Sequence, residues 1–183
     1  MPLPTTNLPE TKPSGKFWKG YLKMKINFFA IGGTIDKVYF DALSEYHVGP
    51  PVIETILKDA RVNFEYEIIS LLKKDSLDMT PVDRKIISEA ISNDPAQFIV
   101  VTHGTDTMVD TAIALKAIKD KTIVLTGAME PAGFKSSDAT FNLGSAIAAV
   151  QALPSGVYIA MSGRIFDPDK VSKNRQDKQF QEK

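Results

Sequence analysis

From Lys25 onward, short apolar runs alternate with segments long enough to be helices, and few folds tolerate that alternation. Ile26–Ile31 reads as a buried strand ending in Gly32-Gly33. Gly49–Asp59 reads as a helix opened by Pro50 and Pro51, and Val62–Leu71 as a second strand. Thr80–Asn93 reads as a helix with Thr80 at the N-cap, Pro81 in the first turn and Asp83 at N3. Phe98–Thr102 is a compact β-branched run, and Thr107–Lys119 an amphipathic helix. Thr122–Thr126 is the next strand, Asp138–Ala152 the next helix, and Gly156–Met161 a final apolar strand. The strand runs are continuously apolar rather than alternating, as strands covered on both faces are. The expectation is a three-layer α/β fold, a mostly parallel Rossmann-like sheet with helices on both faces.

The chain has 183 residues, about one domain's worth, and 43% hydrophobic residues, enough for an ordinary core. Residues 1–24 read as a flexible tail. Pro2, Pro4, Pro9 and Pro13 discourage regular structure there, and Phe17, Trp18 and Tyr21 offer an apolar cluster to the domain or to a partner chain. Residues 25–183 form the domain, and from Asp167 the sequence turns charged and polar, which predicts a loosely held end.

Lysine plus arginine equals aspartate plus glutamate at 22 each. Nothing in that balance points to nucleic acid or an acidic membrane surface, so a small-molecule substrate is expected. The chain has no cysteine, which excludes disulfides, thiolate catalysis and zinc-thiolate sites. It has no apolar run of the roughly 18 residues a membrane span needs and no signal-peptide pattern. The protein is expected to be soluble and cytoplasmic.

In an open parallel sheet, ligands bind beyond the carboxyl ends of the strands. The polar residues that follow each run are therefore the candidates. Gly32, Gly33 and Thr34 follow the first, and glycine lets backbone approach a ligand closely there. Read blandly, this is a strand-ending turn with a capping threonine. Asp75, Ser76 and Asp78 follow the second. His103, Gly104, Thr105, Asp106 and Thr107 follow the third, with Thr105 or Asp106 as an alternative helix cap and His103 as a core histidine bonded to backbone. Gly127 and Ala128 follow the fourth. A threonine hydroxyl needs a base to act as a nucleophile, and a buried lysine beside a carboxylate can serve.

Taken in order, these segments resemble the asparaginase family. Ile31-Gly32-Gly33-Thr34-Ile35 resembles its first signature, and Thr102-His103-Gly104-Thr105-Asp106-Thr107-Met108 its second. Asp75-Ser76-Leu77-Asp78-Met79 is similar to its substrate-binding turn. Gly127-Ala128-Met129-Glu130-Pro131 and Phe141-Asn142-Leu143 match the stretch behind the site, and Asp167–Lys173 resembles the segment ending in the catalytic lysine. The resemblance implies the fold of the family's amino-terminal domain and hydrolysis of the side-chain amide of asparagine, or a related small amide. The reaction would pass through a threonine acyl-enzyme and release ammonia, without cofactor or metal. Thr34 would be the nucleophile, and Tyr46 the tyrosine of a mobile loop, about Asp36–His47, that closes over substrate. Thr105, Lys173 and Asp106 would form a second triad. Ser76, Leu77, Asp106, Gly33, Gly104 and Ala128 would bind substrate, and backbone N–H groups would hold the oxyanion.

The chain departs from the family at Ile31, Asp36, Leu77 and Glu130, and is expected to be a single-domain variant without the family's usual carboxy-terminal domain. The implied assembly is a homo-oligomer, dimer or tetramer. Two other functions remain open on the same residues: an amino-acid-binding or regulatory module that does not turn its ligand over, and an amidotransferase component releasing ammonia for a partner.

Overall fold

A computed structural model describes residues 24–40 and 45–183, with backbone alone at 39–40 and 45–46. The expectations for Met1–Lys23 lie outside the described residues. In chain order the strands and helices are β1 (Lys25–Gly32), β2 (Lys37–Phe40), β3 (Glu45–Val48), α1 (Ile53–Asp59), β4 (Glu65–Lys74), α2 (Pro81–Asn93), β5 (Phe98–Thr102), α3 (Met108–Leu115), β6 (Thr122–Thr126), α4 (Ala139–Ala152), β7 (Gly156–Met161), β8 (Arg164–Phe166), β9 (Val171–Asn174) and β10 (Gln179–Glu182).

Six of these strands form one sheet in the order β4-β1-β5-β6-β7-β8. All neighbours in it are parallel except the β7–β8 pair, so the sheet is mostly parallel, as the alternation predicts. The apolar strands β5 and β6 lie in the middle with their side chains nearly all buried, because helices cover both faces. On one face, Ile87 and Ile91 of α2 and Met108, Ala112 and Leu115 of α3 pack on Phe29, Ile99, Val101, Ile123 and Leu125. On the other, Ile53 and Leu57 of α1 and Leu143, Ala146 and Val150 of α4 pack on Ile26, Phe28, Val100 and Val124. Burying each of the larger side chains contributes roughly 1.5–3 kcal/mol.

The start of α2 follows its sequence signature. Thr80 Oγ1 accepts from the Asp83 N–H, and Asp83 accepts from the Thr80 N–H, a complete capping box with Pro81 beside it. Such a cap contributes about 1 kcal/mol. Lys74 also bonds the Asp83 carboxylate at 2.8 Å. That ammonium, followed by Thr80, holds the Asp83 carboxyl down to about 2.

Within the segment expected as a mobile loop, about Asp36–His47, β2 and β3 pair antiparallel, with Tyr39 opposite Tyr46. Two expectations are corrected. The segment after Gly156–Met161 is not the end of regular structure, since β8, β9 and β10 follow. Nor is the region from Asp167 loosely held: Val171 and Phe180 are buried, and Phe180 lies 6.3 Å from Phe166 between ring centroids. Lys116, just past the end of α3, bonds Asp169 and lies 3.7 Å from Asp167, tying the turn before β9 to the body of the domain.

Candidate functional site

Parallel strands deliver their carboxyl ends to one edge, and at that edge four backbone turns meet in close contact. β1 bends at its end, where Gly32 and Gly33 take φ of +102° and +93°. A Cβ on Gly33 would lie 2.4 Å from the Cα of Gly104. A Cβ on Gly104 would lie 2.5 Å from the Cβ of Ser76, in the 3₁₀ turn after β4. A Cβ on Gly127, after β6, would lie 2.3 Å from the carbonyl oxygen of His103. Only residues without a side chain allow this approach, and at Gly33 the positive φ adds a second reason for glycine. The stack brings Thr34, Ser76 and Thr105 together, each adjacent to or part of a touching turn.

The turn after β5 gathers polar contacts from the β4 turn and from β9. Lys173 Nζ lies 2.6 Å from Thr105 Oγ1 and 2.9 Å from Asp106 Oδ1. Thr105 is 4% exposed, and the Lys173 side chain is also largely covered. Arg175 Nε lies 3.5 Å from the same Asp106 oxygen. The Asp106 N–H donates to Ser76 Oγ at 3.3 Å, and Thr107 Oγ1 donates to the Ser76 carbonyl at 2.7 Å. Neither Thr105 nor Asp106 caps α3; its N-cap is Thr107, whose side chain makes no capping bond. The capping alternative for these two residues therefore falls away. His103 is the core histidine expected: burial, above all, pushes its pKa down to about 4.

Lys173 arrives from a distance. It sits two residues after buried Val171 on β9 and opposite Phe180 on β10. Strand residues two apart share a face, so the anchors that bury the hairpin also aim the lysine.

At the β1 tip, Thr34 is partly buried and opens a 3₁₀ turn, Thr34–Asp36. Asp36 is 3% exposed, and its Oδ1 accepts from the Val52 N–H at the start of α1, 2.8 Å away. Desolvation by burial outweighs that bond and pushes its carboxyl up to about 6. Asp75 is held the other way: burial raises it, but the Lys37 ammonium at 2.6 Å and the Leu77 N–H more than offset this. The Lys37–Asp75 pair ties the β2–β3 hairpin to the Ser76 turn.

Leu77 is 66% exposed, Ser76 is buried, and Ala128 is buried against Ile35 and Ala139. The backbone of Tyr46 lies on β3; its side chain is outside the described residues. A cavity of about 400 Å³ lined by Ile35, Asp36, Val52 and Phe134, among others, lies beside the cluster and includes neither threonine.

Sequence reasoning assigned no role to four further residues. Asp138 accepts from the Met129 and Glu130 N–H groups, and Asn142 donates to the Gly127 carbonyl while accepting from the Ser162 N–H. Together they shape the loop after β6. The available signal was a polar Asn142 on the otherwise apolar buried stripe of α4. Arg175 follows Lys173 at strand spacing, and Thr107 ends the second signature.

A family model described as "Asparaginase, N-terminal" matches residues 25–181. L-asparaginase 2-3 of Saccharomyces cerevisiae is 36% identical over 153 residues, covering 76% of this chain and 42% of that protein. L-asparaginase 2 of Escherichia coli is 34% identical over 163 residues, covering 81% of this chain and 46% of that one. Among solved structures, the thermostable L-asparaginase from Thermococcus kodakarensis aligns with a TM-score of 0.74 at 29% identity, covering 87% of this chain and 51% of its own. The chain spans about half the length of these relatives.

Proposed function

We propose, since this chain belongs to the asparaginase family through its N-terminal domain, that it hydrolyses the side-chain amide of L-asparagine or a related small amide to the acid and ammonia. The observation that carries the reading is Lys173 Nζ placed between Thr105 Oγ1 and Asp106 Oδ1. A lysine within reach of a buried hydroxyl, beside a carboxylate, is an arrangement suited to proton transfer.

In this reading Thr34 Oγ1 attacks the amide carbonyl carbon. The carbon–nitrogen bond breaks, the hydroxyl proton passes to the departing nitrogen, and ammonia leaves an ester on Thr34. Water then cleaves the ester: Lys173, through Thr105, takes a proton from that water and passes it on to Thr34 Oγ1 as the acid leaves. Asp106 holds the substrate ammonium and Ser76 its carboxylate, while Gly33 and Gly104 let the substrate approach the backbone. Tyr46 closes the site from β3. Ala128, whose side chain is buried, contributes backbone only. The exposed side chains of Phe141 and Ile165 support a homo-oligomer, which light scattering tests.

The test is ammonia release from L-asparagine and L-glutamine by the whole chain. Release that disappears in both Thr34→Ala and Thr105→Ala supports the reading. Exposed Leu77, standing where a polar substrate ligand would serve, favours the second reading, a binding module. Aspartate binding by calorimetry with no ammonia from either amide would establish that one instead.

A further inference from the structure

His103 is 0% exposed and stands between β5 and the candidate nucleophilic turn, yet it touches none of the reacting groups. Its main chain is still sheet-bound, the N–H donating to the Thr126 carbonyl at 2.9 Å. Its ring is held at both nitrogens. Nδ1 lies 2.7 Å from the carbonyl oxygen of Gly104. A carbonyl only accepts, so Nδ1 carries the hydrogen. Nε2 is then a lone-pair acceptor, and Thr111 Oγ1, 3.0 Å away on α3 and fully buried, donates to it. The tautomer thus follows from the two partners, and burial keeps the ring neutral at pH 7.

The bond to Gly104 has a consequence for the next residue. The Gly104 carbonyl belongs to the peptide linking Gly104 to Thr105, and no described peptide bond is cis. In a trans peptide the C=O and N–H point in opposite directions. Drawing the carbonyl toward the imidazole therefore turns the Thr105 N–H away from it. No described residue accepts from that N–H, although the neighbouring Asp106 N–H is taken by Ser76 Oγ. A free donor thus sits on the residue whose hydroxyl meets Lys173.

We propose that His103 is a positioning residue: with Thr111 fixing its tautomer, it orients the Gly104–Thr105 peptide so that the Thr105 N–H faces the substrate oxygen that gains negative charge. The inference rests on the amide-hydrolase reading above. His103 itself gives and takes no proton. Its contribution is to have the donor already aimed before charge develops, which is where preorganised dipoles act most strongly.

Two substitutions separate this from simple core filling. In His103→Asn the amide N–H₂ falls near the position of Nδ1 and keeps the bond to Gly104. In His103→Gln the amide reaches the position of Nε2, keeps a partner for Thr111 and leaves the Gly104 carbonyl free. Both leave smaller side chains and should lower the thermal midpoint similarly. For asparagine hydrolysis, kcat should fall about 10²-fold in the Gln variant and less than about 10-fold in the Asn variant, with KM little changed in either. Equal losses in the two variants, or a rise in KM at constant kcat, would overturn the proposal. Imidazole ¹⁵N shifts of the wild type should report the Nδ1–H form across pH 5–8, and an Nε2–H form would also overturn it. If the wild-type chain releases no ammonia, the hydrolase reading fails on its own account. The orientation claim is then decided by the ¹H–¹⁵N signal of the Thr105 amide. It should move in the Gln variant and stay near its wild-type position in the Asn variant. A signal unmoved in both sinks the claim.

Discussion

At the end of β5, Thr105 is buried and its hydroxyl meets Lys173 at 2.6 Å, whereas at the end of β1, Thr34 is only partly buried and no described residue bonds its hydroxyl. The two tips touch through Gly33 and Gly104, so they share one environment but differ in wiring. The β5 tip is braced by Ser76, Thr111 and the C-terminal hairpin. The β1 tip is braced from behind, by the Asp36–Val52 bond. Under the proposed function the difference fits a division of labour: a proton relay needs fixed distances between its members, while a nucleophile that must become an ester and then be released needs room to move.

The sharpest way to break this comparison is to remove the relay. Lys173→Met and Thr105→Ala should each lower kcat by about 10²–10⁴-fold, and the double variant should be little worse than either single, because the two act as a unit. Ammonia release under saturating asparagine is the measurement. Additive losses would mean that Lys173 and Thr105 serve separate steps.

The contact between the tips is probed next. Gly33→Ala meets both backbone strain at φ +93° and a Cβ 2.4 Å from Gly104, whereas Gly104→Ala meets only packing against Ser76. Each should destabilise the domain by about 2–4 kcal/mol, with Gly33→Ala the worse. Urea unfolding of the two variants side by side checks the order.

Asp36 and His103, one at each tip, are shifted in opposite directions by the same cause, burial. Asp36 rises from 3.8 to about 6, so the folded state holds the extra proton and stability is lost as pH rises through that window. His103 falls from 6.5 to about 4, so the unfolded state holds the extra proton and stability is gained as pH rises through an overlapping window. The two slopes largely cancel in the wild type. Asp36→Asn should therefore be more stable than wild type at pH 8 by on the order of 2 kcal/mol, show no gain at pH 3.5, and display a steep rise between pH 4 and 6.5. Denaturant melts across that range test it, and a variant parallel to wild type at every pH would contradict the Asp36 shift.

The smallest effect is expected at Arg175. It is 67% exposed at the side chain and 3.5 Å from Asp106, so Arg175→Ala should change kcat/KM for asparagine by no more than about 5-fold, with the difference shrinking as salt is added. A large loss would place the guanidinium among the substrate's partners.

The central sheet was legible because its signal is local. Phe98–Thr102, Thr122–Thr126 and Gly156–Met161 coincide with β5, β6 and β7, each an uninterrupted apolar run between polar punctuation. At β4, expected over Val62–Leu71, the strand lies three residues later, at Glu65–Lys74. It is an edge strand with half-exposed side chains, so its apolar run marks its limits poorly. The helix expected over Thr107–Lys119 ends at Leu115, where the buried stripe stops and Lys116 turns toward Asp169. The C-terminal hairpin was not legible, because its two anchors, Val171 and Phe180, are single apolar residues in a polar setting. The motifs located Thr34, Ser76 and Thr105 on one sheet edge through chain order alone. That a lysine 67 residues after Asp106 reaches it could come only from family resemblance or from coordinates.

The hairpin also sets a schedule. A ribosome delivers Thr34, then Ser76, then Thr105 and Asp106, and Lys173 only after β1, β4, β5, β6 and β7 have all been made. Synthesis proceeds at roughly 5–20 residues per second, so the Thr105 hydroxyl waits several seconds for Lys173. Under the proposed mechanism the nascent domain is chemically silent through that interval. It becomes competent when Val171 and Phe180 enter the core, so that burial of two side chains and completion of the site are a single event.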